Sequence, residues 1–229
     1  MKKKLLQEEE LEWSPVVANN AMNRERIAIG INSYEQDIKL NPINFLLERK
    51  KQDYIQWTDL CCGRGNALIQ ASKYFEDTPL ATKLSLIGID LVDFFSSHQT
   101  NILTLNQLSI REWQPDKKSD LISIVHGLHY IGDKLGILLK VIAAIKEDGV
   151  FIGNIDLDNI KIKDIPNAKT IISSFFKKNH INYDPKNKIL KVEGSKTIAS
   201  EFIYLGADDK AGPNYTGQPV VNSYYRLKD

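Results

Sequence analysis

The sequence predicts an α/β fold: a doubly wound, mostly parallel sheet with an antiparallel edge strand and a helical N-terminal cap. Three observations predict it. Strand-like and helix-like stretches alternate from Tyr54 to Asp158, LSLIGI is an unbroken apolar run that stops at Asp90 with DLISIV reading as another buried strand, and a glycine pair opens the first helix of the alternation. Right-handed crossovers turn such a rhythm into parallel strands with helices on both faces.

The elements follow in order. Residues 1–14 read as a charged lead, and residues 16–51 carry apolar positions at helix spacing with breaks near Gly30 and at Asn41-Pro42, which gives two or three helices. YIQWTDL (54–60) is a short β-rich run, and NALIQASKYF (66–75) is helical with Gly65 opening it. LSLIGI (84–89) and DLISIV (120–125) read as strands buried on both faces, with a weaker strand at 102–105 between them. DKLGILLKVIAAIK (133–146) is an amphipathic helix with an acid in its first turn and a base in its last, and Glu147-Asp148-Gly149 turns the chain into a strand at 150–155. A last helix spans 170–179, followed by the strand-like ILKVEG, SEFIYLG and VVNSYYRL, the final two expected to pair antiparallel at the sheet edge.

A chain of 229 residues, 42% of them hydrophobic, suits one compact unit, here divided into a cap (1–52) and a main domain (53–229). Thirty basic residues against twenty-nine acidic ones give a net charge of +1, so no global field selects nucleic acid or an acidic membrane as partner. MKKKLLQEEELEW lacks the apolar stretch of a signal peptide, and no run approaches the roughly 20 apolar residues of a membrane span, so a soluble, cytoplasmic chain is expected. The two cysteines are sequence neighbours, a spacing that ordinary disulfide geometry hardly reaches. None of His98, His126, His129 and His180 completes a zinc pattern with them, so no metal is expected.

The chemistry concentrates in TDLCCGRGNAL (58–68). Gly63 and Gly65 allow a tight turn and close approach of backbone to a ligand at the carboxyl end of the first strand. A dinucleotide fingerprint would place a third glycine where Leu68 stands, and Asp90 lies 27 residues after Gly63 rather than about 20. Asp59 just upstream disfavours a pyrophosphate and suits a cationic ligand. The P-loop lysine is absent as well.

TDLCCGRGNAL, LIGIDL, DLISIVHGLHYIGD and EDGVFIGNID, in this order and spacing over about residues 54–158, resemble class I S-adenosylmethionine-dependent methyltransferases. The resemblance implies a Rossmann-like, seven-stranded sheet and S-adenosylmethionine as cofactor. It implies that Cys61, Gly63 and Gly65 border the methionine part, that Asp59 reaches the ammonium group, and that Asp90 holds the ribose hydroxyls with Leu91 beside the adenine. Leu108, Ser109 and Ile110 occupy the adenine-contacting segment, with Ser109 where an aspartate is common. Caps in such enzymes supply groups for the methionine carboxylate, which makes Arg24 and Tyr34 candidates.

Each assignment has a plainer alternative. Asp90 is also a good strand-ending turn acid, and Cys61 and Cys62 are small residues suited to a buried turn. His126 and His129 are general-base candidates because a neutral imidazole accepts protons near pH 7, and both are equally candidates for packed, hydrogen-bonded side chains. Tyr130 is a candidate wall of an acceptor pocket. The loop 206–218 is longer than a hairpin needs, so Asp208, Asp209, Asn214 and Tyr215 are candidates to grip a substrate, against a solvated surface loop.

The expected activity is methyl transfer from S-adenosylmethionine to oxygen or nitrogen of a small molecule or short peptide. The alternatives are an RNA or protein methyltransferase, or a non-catalytic cofactor-binding module of the same fold. Nucleic acid is not the expected partner, and the sequence specifies no oligomeric state.

Overall fold

The computed structural model describes residues 4–18 and 25–228. Three short helices come first: α1 (Glu8–Glu12), α2 (Tyr34–Ile38) and α3 (Pro42–Glu48). The side chains of Ser33 and Asn41 accept hydrogen bonds from the amides of Gln36 and Asn44, capping α2 and α3, and Pro42 opens α3 where a missing N–H costs nothing. The alternation then runs β1 (Ile55–Leu60), α4 (Asn66–Phe75), β2 (Leu84–Asp90), β3 (Leu103–Gln107), β4 (Ser119–Ile124), α5 (Lys134–Ala143) and β5 (Ile145–Asn154). It is followed by β6 (Ile160–Ile162), α6 (Ala168–Lys178), β7 (Asn182–Asp184), β8 (Ile189–Glu193), β9 (Phe202–Asp208) and β10 (Asn222–Leu227).

Seven strands form a doubly wound sheet in the order β3-β2-β1-β4-β5-β8-β7. The first five are mutually parallel, and β8 runs antiparallel to both β5 and β7. Period-2 alternation divides the apolar side chains between the two faces. Leu121, Val150 and Ile152 belong to a core shared with α2, α3 and α4, whereas Ile122 and Phe151 belong to one shared with α5 and α6. The chain winds from β1 outward to β3 and returns to β4 on the other side of β1. That reversal is the switch point where open α/β sheets bind ligands.

Trp57 in β1 is fully buried, and its Nε1 donates to Ser123 Oγ of β4 at 2.8 Å. Trp57→Ala is expected to cost about 3–5 kcal/mol, because it opens a large cavity and removes the donor to that hydroxyl. A urea titration should show a lower midpoint at unchanged slope, and an unchanged midpoint would contradict the assignment.

Three expectations change. β9 and β10 do pair antiparallel, but in a separate three-stranded sheet of order β6-β10-β9, so they are not the edge of the main sheet. The main sheet's antiparallel member is β8, the ILKVE run, and it lies one strand in from the edge. The helix expected to reach Lys146 stops at Ala143. Lys146 instead sits on β5, where its Nζ meets the buried Asp120 Oδ2 at 2.8 Å and the Tyr54 carbonyl at 2.6 Å. Compensating that buried carboxylate outweighs the three further residues, most of a turn, of helix.

The N-terminal segment adds to the smaller sheet. Leu6 and Ala207 exchange backbone hydrogen bonds of 2.8 and 2.9 Å, and Leu11 is buried against Ala207 and Val221. Among the described residues no helix is long and apolar enough to cross a membrane.

Candidate functional site

A cavity of about 580 Å³ opens at the switch point, outside the carboxyl ends of the strands. Its floor is the turn after β1. Cys61 adopts a left-handed φ of 59°, Gly63 follows at 61°, and Gly65 caps α4 at 75°. The turn after β4 presses directly on this loop: a Cβ at Gly127 would lie 2.4 Å from the Cβ of Cys61. Only glycine lets the two turns meet there. Burial, reinforced by the charges of Asp59 and Asp90, pushes the Cys62 thiol well above its ordinary value.

Two acids organise the loop. Asp90 lines the cavity at the end of β2, its Oδ2 accepting from the Gly63 amide at 2.7 Å and its Oδ1 from the Val92 amide at 3.2 Å. Asp59 lies beneath the loop and is fully buried, accepting from the Tyr34 hydroxyl at 2.7 Å and from the Ser123 hydroxyl at 2.5 Å. Burial raises its carboxyl to about 7, with the charge of Asp90 adding to the rise and the two hydrogen bonds opposing it. Tyr34, whose ring stands edge-on to Trp57, carries the contact from Asp59 to the cavity wall.

At the other end, His126 follows β4 with a left-handed φ of 60°. Its Nε2 lies 3.3 Å from Asp37 Oδ2, an oxygen that also accepts from Arg26 Nε at 2.5 Å. Burial would raise the Asp37 carboxyl, yet His126 and then Arg26 pull it below its ordinary value. The Asn154 side chain ties this group together, accepting from the His126 amide and donating to the Asp37 carbonyl, each at 3.3 Å. His126 Nδ1 is buried with no hydrogen-bond partner among the described residues. His129 is almost fully buried, with Nε2 3.3 Å from the Tyr215 hydroxyl. Burial, followed by the neighbouring charge of His126, holds it neutral.

Tyr34, Cys61, Gly63 and Asp90 thus meet at one cavity, together with Leu91, Leu108, Ile110, His126 and Tyr130. Asp59 and Gly65 support it from below. Ser109 stands behind the wall, its hydroxyl donating to a Glu12 carboxylate that does line the cavity. From the long loop, Thr216 and Gln218 face the cavity, with Tyr215 beside the two histidines at ring distances of 6.5 and 5.5 Å. Asp208, Asp209 and Asn214 are not among the lining residues. Asp208 accepts from the Lys210 amide, Asp209 is half-buried in the turn that follows, and Asn214 shapes the loop by accepting from the Thr216 amide and hydroxyl. Arg24 lies outside the described residues. Its near neighbour Arg26 lines the cavity instead, and neither it nor Asp37 carries a sequence signal that separates it from a solvated helix charge.

No protein-family model and no curated protein matches the chain. Among solved structures, the plantazolicin methyltransferase BpumL in complex with a triazolic desmethylPZN analog and SAH is 16% identical, over 48% of this chain and 42% of that chain, with a TM-score of 0.40. The Haemonchus contortus phospholethanolamine N-methyltransferase 2, in complex with phosphomonomethylethanolamine and S-adenosylhomocysteine, is 16% identical over 53% of this chain and 28% of that one, TM-score 0.39. An S-adenosylmethionine-dependent methyltransferase from Clostridium acetobutylicum is 22% identical over 50% and 49%, TM-score 0.35. The chain therefore spans less than half the length of each of these proteins.

Proposed function

We propose that the chain is an S-adenosylmethionine-dependent methyltransferase acting on oxygen or nitrogen of a small molecule or short peptide. The observation that carries this reading is the pairing of a cavity-facing acid, Asp90, with a buried acid, Asp59, around one glycine turn at the switch point. The donor set fits the cofactor: Asp90 for the ribose hydroxyls, Leu91, Leu108 and Ile110 for the adenine faces, and Asp59 through Tyr34 for the ammonium group. Arg26 takes the carboxylate role assigned to Arg24 from the sequence. Glu12, held by Ser109, returns a carboxylate to the end of the cavity where the sequence lacks one.

When bound, the cofactor supplies an activated methyl group with an excellent leaving group. The chain's own task is then to hold the acceptor in line and exclude water. His126, oriented by Asp37 and Asn154, takes a proton from an acceptor that must lose one. Tyr130, Thr216 and Gln218 wall the acceptor side, with Tyr215 packed beside the two histidines.

Calorimetric titration with S-adenosylhomocysteine tests the cofactor, and absence of binding to folded chain would overturn it. Incubation with methyl-labelled cofactor and fractionated cell extract then identifies the acceptor class by where label appears.

The state of Asp59 gives a second readout. Its folded value, about 7, lies above the ordinary 3.8, so protonation of Asp59 favours the folded chain. That contribution is complete below pH 3.8 and is lost as pH rises towards 7, so stability from this group falls across that window. A cationic ammonium nearby favours the ionised form. Binding of S-adenosylhomocysteine at pH 6 is therefore expected to release about one proton, and at pH 9 none from this group. Calorimetry in buffers of different ionisation enthalpy measures this, and Asp59→Asn should abolish the release.

A further inference from the structure

The near-neutral total charge hides a strong asymmetry. Residues 161–196 carry nine lysines against three acids, a surplus of six, whereas the other 193 residues carry 21 bases against 26 acids. This basic segment folds around a second cavity of about 790 Å³ between α6 and the β7–β8 hairpin. Lys169 and Lys177, two turns apart on one face of α6, line it opposite Lys188 and Lys196. Asp158 and Asp156 already engage Lys169 and Lys188, while Lys196 spends one hydrogen bond on the His180 carbonyl at 3.0 Å. Lys177 and the remaining donors of Lys196 leave the groove positive. Glu193 is the acid among its lining residues.

The groove adjoins the acceptor end of the first cavity. Lys188 accepts at its carbonyl from the Ile155 amide at 2.9 Å, and the Tyr183 hydroxyl donates to the Ile155 carbonyl at 3.2 Å. Ile155 directly follows Asn154, the residue that holds His126 and Asp37. The backbone held by the groove's Tyr183 and Lys188 thus lies one residue from Asn154, whose side chain accepts from the His126 amide.

We infer that this groove binds an acidic, extended peptide segment and anchors a peptide substrate whose reactive residue lies at His126. The anchoring role rests on the methyl-transfer reading, whereas the groove's ligand does not. Charge complementarity selects an anion. The lining then favours peptide over nucleic acid, since it contains no arginine fork for phosphates and its one exposed ring is the His180 imidazole, against the row of rings that successive bases stack on. Phe176 is buried at 1% exposure, and Tyr183 is half-buried with its hydroxyl engaged. An extended peptide is favoured by β7, the last strand of the seven-stranded sheet, whose outer edge pairs with no further strand among the described residues.

Fluorescence anisotropy of the full chain would test this with a labelled hexapeptide of alternating glutamate and leucine. Two controls accompany it: the same peptide with glutamine for glutamate, and an oligouridylate of three phosphates. The acidic peptide is expected to bind most tightly. The double variant Lys177→Glu, Lys196→Glu should weaken it at least about tenfold while leaving S-adenosylhomocysteine affinity intact. Unchanged affinity in that variant, equal binding of the glutamine peptide, or tighter binding of the oligouridylate would each overturn the inference. Cofactor binding on the same samples separates the two readings. Its presence without peptide binding removes this inference alone, and peptide binding without it removes the methyl-transfer reading and leaves the groove's ligand standing.

Discussion

An Asp90→Ala chain is expected to fold and to lose about two to three orders of magnitude of affinity for S-adenosylhomocysteine. A carboxylate offers about four lone-pair sites, so oxygens that hold the Gly63 and Val92 amides can also accept from two ribose hydroxyls. Hydrogen bonds to a charged group contribute about 1.5–3 kcal/mol each, and the cavity wall shields them from water. Two such bonds at the lower end give about 3–4 kcal/mol, hence the expected factor. The variant also frees the Gly63 amide and loosens the loop, which works in the same direction. Asp90→Asn keeps the shape but removes the charge, and should fall between the two. Calorimetry on protein whose circular dichroism is unchanged decides the matter: full affinity in Asp90→Ala would show that Asp90 merely ends its strand.

What the sequence made legible, and what it left obscure, has a physical pattern. LSLIGID and DLISIV read as strands because burial on both faces leaves them mostly apolar, broken only by small serines besides their end acids, and both stand in the parallel centre of the sheet. NALIQASKYF read as a helix because Gly65 marks its start, and its bounds agree with α4. The edge was harder. ILKVE, SEFIYLG and NSYYRL all look like half-buried strands, and only contacts far along the chain decide that the first joins β5 while the other two form a sheet of their own. The same holds for the site. Asp90 and the glycine turn announce themselves by local spacing, but Asp37 becomes meaningful through His126, 89 residues later, and Glu12 through Ser109, 97 residues later. The loop 206–218 showed its length, not its orientation. Thr216 and Gln218 reach the cavity because Asn214 folds the turn inward.

The transfer step carries the other large expectation. His126→Ala should lower kcat about 10²- to 10⁴-fold for any acceptor that must surrender a proton, with cofactor affinity unchanged. The warrant is orientation. Asp37 Oδ2 stands 3.3 Å from Nε2, so that nitrogen carries the proton and Nδ1 keeps the lone pair, and Nδ1 is the buried nitrogen that no described residue satisfies. Asp37→Asn should lower kcat in the same direction by a smaller factor, because the amide can present either an oxygen or an NH₂ group and no longer fixes the tautomer. His129→Gln is the contrasting variant: His129 is held neutral by burial and spends Nε2 on Tyr215, so its loss should act on KM more than on kcat. Transfer of label to the acceptor fraction measures all three. An unchanged kcat in His126→Ala would leave His126 a packing residue and point to an acceptor with no proton to lose, such as a carboxylate. Its nucleophilic oxygen would then need only the alignment and water exclusion that the rest of the cavity provides.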